Sequence, residues 1–120
     1  MKTAIFINSV SKFLPNAPVS NDDMERYLGL INGKPSRVKR IVLKQNGIRS
    51  RYYALDKNQK MTHTNAELAF RSITKLFPDE QIPDDIEVLA CATGNPDQLL
   101  PSHASMVHGL MKNKPMEIYS

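Results

Sequence analysis

An α/β fold is predicted for this chain by three observations. Apolar runs of strand length alternate with stretches of helical periodicity along the whole sequence. Residues 86 to 92, Ile-Glu-Val-Leu-Ala-Cys-Ala, are almost continuously apolar, as in a parallel strand covered by helices on both faces. Thr64-Asn-Ala-Glu67 is a capping box, and Ala66, Ala69, Phe70, Ile73, Leu76 and Phe77 follow it as one apolar stripe. Strands and helices alternating in this way pack as layers joined by right-handed crossovers.

In chain order, residues 2 to 10 read as a strand with its apolar centre at residues 4 to 7, closed by Ser11-Lys12 and by Pro15. Ser20 or Asn21 supplies the N-cap of a first helix, and Asp22, Asp23 and Glu25 stand where the helix dipole favours acids. Met24, Tyr27, Leu28 and Ile31 recur at helical spacing, with Gly33 as the C-terminal cap before Pro35. Residues 40 to 54 are undecided: Ile41-Val-Leu43 is apolar, Gly47 marks a turn and residues 51 to 55 have the composition of a short strand. The capped helix after Thr64 ends before Pro78. The strand at 86 to 92 turns at Asn95-Pro-Asp97, and a helix starts at Pro101-Ser102 and runs to about residue 111. Lys114-Pro115 separates it from a final strand at residues 116 to 120.

The 120 residues suit one domain, and 41% hydrophobic with 23% charged residues is ordinary for a globular protein. The apolar start is too short for a signal peptide, and no run approaches the roughly 18 residues of a membrane span. A lone cysteine excludes an internal disulfide and fits a reducing, cytoplasmic location. The net charge of +4 is unevenly spread: residues 34 to 51 hold seven of the sixteen bases and no acid. Such a run suits coenzyme A phosphates, an acidic protein, nucleic acid, or simply solvent. Only Tyr52 and Tyr53 are at hand to stack on bases, so nucleic acid is not expected.

Cys91 is the only thiol, but it lies inside an apolar strand, where desolvation raises a thiol's pKa and the residue acts as a small hydrophobe. His103 and His108 are five residues apart, on different sides of a helix, and no histidine stands at metal-site spacing. With His63 they read as structural or surface residues, and no metal is expected. Residues 93 to 100, Thr-Gly-Asn-Pro-Asp-Gln-Leu-Leu, are the candidate substrate segment, because α/β sheets place ligands at the carboxyl ends of their strands. Thr93 and Gly94 are the expected contacts. The alternative is an ordinary connection with Leu99 and Leu100 in the core.

The landmarks resemble, in order, those of the β-ketoacyl-acyl-carrier-protein synthase III family of the thiolase superfamily. Ser11-Lys-Phe-Leu-Pro15 with Val19-Ser-Asn-Asp22 looks like the exit of its opening strand and its first capped helix. Asn46-Gly-Ile-Arg-Ser-Arg51 looks like its Thr-Gly-Ile-Arg-x-Arg element, and Ala92-Thr-Gly-Asn-Pro-Asp97 with Pro101-Ser102 looks like the loop entering its acyl pocket. Met116-Glu-Ile-Tyr-Ser120 looks like the strand that runs into its nucleophilic cysteine.

The resemblance implies that residues 1 to 120 are the N-terminal part of a thiolase-like layered fold, a mixed sheet with helices on both faces, incomplete and stopping before that cysteine. It implies an acyltransferase that performs a decarboxylative Claisen condensation of acyl and malonyl thioesters in fatty-acid, lipid or polyketide synthesis. The family's catalytic cysteine, histidine and asparagine lie later, so no catalytic residue is expected here, and these residues alone are expected to be inert. Leu100 takes the place of an apolar side chain that closes the acyl tunnel of a homodimeric partner, and the final strand that of one pairing with its two-fold mate. The family's tryptophan and arginine that grip coenzyme A correspond to Ile41 and Gln45. That departure favours a donor on an acyl carrier protein, docked at Arg37, Lys39 and Arg40, over coenzyme A. It also favours a specialised lipid, resorcinol or polyene pathway. No cofactor is expected. The reading from a different class is a self-contained basic module that binds an acidic protein partner.

Overall fold

The computed structural model describes residues 4–77, 81–112 and 115–120. They form two compact units, Leu14–Thr64 and Met1–Phe13 together with Asn65–Ser120. Among the described residues, no helix is long and apolar enough to cross a membrane.

The Leu14–Thr64 unit is built from β1 (Val19–Ser20), α1 (Met24–Leu28), α2 (Lys39–Gln45) and β2 (Ser50–Arg51). β1 and β2 pair antiparallel, Val19 opposite Arg51 and Ser20 opposite Ser50. Side-chain amides tie down the irregular stretches: Asn16 Nδ2 donates to the Tyr53 carbonyl at 2.7 Å and to Thr62 Oγ1 at 2.9 Å, and Asn21 Nδ2 to the Ile48 carbonyl at 2.7 Å.

Three expectations change here. The N-cap of α1 is Asp23; Ser20 Oγ instead accepts the Asp23 amide at 3.2 Å, forming the turn before the helix. The helix ends at Gly29, not Gly33, because the backbone there swings to φ 83° and ψ 177°, a region essentially reserved for glycine. Asn32 (φ 51°) and Gly33 (φ 70°) form a tight turn, with Ile31 and Lys34 bridged antiparallel. The undecided stretch from 40 onward opens as helix α2, whose apolar residues split between one buried position, Leu43, and exposed ones.

A Cβ added at Gly29 would also come within 2.6 Å of Gln59 Nε2. Gly29→Ala is therefore expected to destabilise this unit by about 1–3 kcal/mol, chiefly through the backbone. Urea unfolding of the variant against the wild type measures it.

The other unit contains α3 (Asn65–Thr74), β3 (Val88–Ala90), α4 (His103–Gly109) and β4 (Glu117–Tyr119). β3 and β4 pair parallel, Leu89 opposite Ile118, with α4 as their crossover, so β3-α4-β4 is a βαβ unit. α4 packs on both strands and on α3. Val107 and Ala104 are fully buried at that junction, and Ala66, Leu89, Val107 and Met111 form the core with Phe70, Ile73 and Met116 packed around them. Leu89 faces the helices; Val88 and Ala90 are exposed. The helix expected to start at Pro101-Ser102 is α4, and Ser102 is its cap, accepting the Ser105 amide at 3.3 Å.

The strand expected at residues 2 to 10 is not formed among residues 4–10, and residues 1–3 lie outside the described residues. Ile5, Phe6, Ile7 and Val10 are exposed. An apolar run becomes a strand only when a neighbour takes its amides, and among the described residues none pairs with residues 4–10.

Candidate functional site

The carboxyl ends of β3 and β4 and the start of α4 enclose a concavity of about 320 Å³, lined by Cys91, Thr93, Leu99, Ser102, His103 and Ser120 among others. Parallel α/β units put ligands at this end of the sheet. Two hydrogen-bond systems build its walls. Ser120 Oγ accepts the Ala104 amide at 2.8 Å and donates to Ser102 Oγ at 3.1 Å, which joins the end of β4 to the first turn of α4. On the loop side, Asn65 Nδ2 donates to Thr93 Oγ1 at 2.8 Å and to the Asn95 carbonyl at 2.6 Å. The Asp97 carboxylate accepts the Asn65 amide at 2.7 Å and the Ala66 amide at 2.9 Å.

Asp97 thus satisfies two of the free donors at the start of α3 and anchors its own loop at the same time. The sequence marked Asp97 only as part of a turn. An acid 32 and 31 residues away from the two amides it caps leaves no local spacing signal.

Thr93 and Leu99 line the concavity, whereas Gly94 and Leu100 lie on the adjoining loop. A Cβ at Gly94 would meet nothing within 4 Å. Leu99 and Leu100 are 88% and 84% exposed, so they are not core residues of an ordinary connection in this unit.

Cys91 continues the ladder beyond β3, its amide donating to the Tyr119 carbonyl at 2.9 Å, and it packs on the core. Burial pushes its thiol above the ordinary range. His103 is buried, with Nδ1 unpartnered among the described residues. His108 is on the same short helix, and His63 Nδ1 is 3.0 Å from Thr62 Oγ1 in the other unit. Among the described residues, no cluster of three metal-ligating side chains exists.

The basic segment divides by role. Arg37 and Arg40 are exposed, whereas Lys39 Nζ holds Glu25 Oε2 at 2.9 Å in an ion pair less than a fifth exposed on each side. Glu25 Oε1 accepts the Ser36 amide at 2.8 Å. That bond and the Lys39 ammonium lower the Glu25 carboxyl below its ordinary value. Its contribution to stability is present above the unfolded-state pKa and is lost as pH falls through the folded one. A urea midpoint difference between wild type and Glu25→Gln is expected at neutral pH and should vanish on acidification.

No family model matches the chain. Two curated proteins, the β-ketoacyl-[acyl-carrier-protein] synthase III of Rickettsia typhi and that of Rickettsia prowazekii, are each 31% identical to it over 82% of its length. The same enzyme of Chlorobaculum tepidum is 29% identical over 95% of it. The chain is synthase III-like. It spans 28% of the length of the Rickettsia relatives and 31% of the Chlorobaculum one. Among solved structures, AbyA1, a tetronic acid condensing enzyme, superposes with a TM-score of 0.67 over 93% of the synthase III-like chain and 33% of its own, at 23% identity. The fold is that of part of a thiolase-like condensing enzyme.

Proposed function

We propose that this chain contributes the substrate-binding shoulder of a ketosynthase III-type acyltransferase, which condenses an acyl thioester with a malonyl thioester and releases carbon dioxide. The observation that carries this reading is the concavity at the carboxyl ends of β3 and β4, built from the segments that carry the family's landmarks. Supporting it are relatives of that name matched along most of the chain.

The chemistry needs a thiolate to take the acyl group, and groups that assist decarboxylation and hold the enolate. Cys91 does not suit the first role, since a thiol raised by burial is mostly protonated at neutral pH. The nucleophile and its assistants accordingly belong to the part of the enzyme for which the relatives have length and these 120 residues have none. Thr93, Gly94 and Leu100 border the acyl path, Leu100 reaching toward the second subunit of a homodimer. The donor is delivered by an acyl carrier protein at the basic surface of Arg37 and Arg40.

The test supplies the purified enzyme with acyl thioesters of graded length and malonyl-carrier, and follows β-ketoacyl product by mass spectrometry. Leu100→Ala should shift the preferred chain length upward and change kcat/KM by roughly tenfold for the affected substrates, the scale of one or two methylenes in an apolar pocket. An unchanged length profile removes Leu100 from the acyl path, and absence of β-ketoacyl product removes the condensation.

A further inference from the structure

The concavity at the carboxyl ends of β3 and β4 contains a buried ring nitrogen that its walls do not use. Thr93 Oγ1 accepts from the Asn65 side-chain amide at 2.8 Å and from the Asn95 backbone amide at 3.2 Å. Ser102 and Ser120 bond each other and take the amides of Ser105 and Ala104. Gln98, on the loop, is exposed to solvent. His103 lines the same concavity and is only 6% exposed, yet among the described residues its Nδ1 has no hydrogen-bond partner.

Burying a polar atom without a partner is costly, so such an atom in a folded protein calls for a role. The neighbours of His103 exclude two. A base for the lone thiol would have Cys91 within hydrogen-bond reach, but Nδ1 holds nothing, and burial pushes that thiol up instead of activating it. A metal site needs further ligands around the imidazole, and among the described residues no cluster of three such side chains exists. Recognition of a ligand seated in the concavity is the role that remains.

We infer that His103 is a specificity residue for the acyl group and reads a hydroxyl on a short hydroxyacyl chain. The inference rests on the proposed condensation, which makes the occupant an acyl thioester. Ala92, Pro96 and Leu99 in the lining suit methylenes, and the wall hydroxyls are already bonded, so Nδ1 is left to meet a single polar substituent. A hydroxyl fits either tautomer of a neutral imidazole, because it donates to a bare Nδ1 and accepts from a protonated one. A keto oxygen can only accept. The volume of about 320 Å³ stands at the small end of ligand pockets, which limits the chain to a short one.

The experiment gives the purified enzyme β-hydroxybutanoyl and ω-hydroxyhexanoyl thioesters, each in competition with its unsubstituted counterpart for a malonyl thioester, and reads the products by mass spectrometry. The wild type is expected to favour one of the hydroxyacyl primers about fivefold in kcat/KM, the scale of one neutral hydrogen bond. His103→Leu should abolish that preference, and His103→Asn, which keeps a hydrogen-bonding amide near the place of Nδ1, should restore part of it. Leucine also removes an unsatisfied polar atom at similar volume, so the urea midpoint of His103→Leu should equal or exceed that of the wild type. Condensation without a hydroxyl preference, or with one that survives in His103→Leu, overturns the inference and leaves the condensation intact. A midpoint lowered in His103→Leu shows that the fold itself holds the imidazole, and overturns it as well. No condensation with any primer removes the proposed function and the inference with it.

Discussion

Asp97→Ala is expected to lower the stability of the βαβ unit by about 1–2 kcal/mol, the usual cost of removing a helix cap. The carboxylate takes the Asn65 and Ala66 amides together, so its loss leaves two donors at the start of α3 without their partner and releases the loop. Hydrogen exchange at those two amides should speed up more than at Val107, which lies at the centre of the core. Asp97→Asn keeps one acceptor oxygen and should lose less. If Asp97→Ala unfolds at the wild-type urea concentration, the cross-chain cap is not what holds this loop.

Cys91 should alkylate more slowly in the folded protein than in denaturant, since burial raises its thiol pKa and leaves less thiolate at neutral pH. Desolvation is the cause, and it also sets the pH dependence. The folded rate should keep climbing with pH after the unfolded rate has levelled. By linkage, the unfolded chain releases the thiol proton first, so the contribution of this group to stability is full below the unfolded pKa and is lost as pH rises through the folded one. Equal iodoacetamide rates in folded and unfolded protein would place Cys91 outside the core.

The parts of this fold that were legible in the sequence have local signatures. The start of α3 follows Thr64, α4 starts just after Pro101-Ser102, and the apolar run around Leu89 is a strand, because helix-start signals and continuous apolar runs report on a few adjacent residues. Other features depended on partners far along the chain. The apolar run at residues 4–7 was real, but a strand needs a neighbour that sequence pattern cannot supply. Helix α2 was hidden because its apolar residues do not form one stripe: Val38 and Val42 face one depression, Leu43 is buried and Ile41 is exposed. The Gly29 stop was missed because the helical spacing was carried on to Ile31 and Gly33, before Pro35, was read as the cap. At the site, the position of residues 93 to 100 was readable from strand-end logic, whereas Asn65 and Asp97, which fix it, were not. Lys39 was read as a free docking charge, and only the structure shows its pairing with Glu25.

The most direct test of the whole account is peptide mapping of the protein purified from its native source after brief incubation with a labelled acyl thioester. The account predicts a covalent acyl group on a cysteine other than Cys91, chased off as β-ketoacyl product when malonyl-carrier is added. Acylation of Cys91 itself, or no acyl-enzyme alongside no condensation, would contradict it.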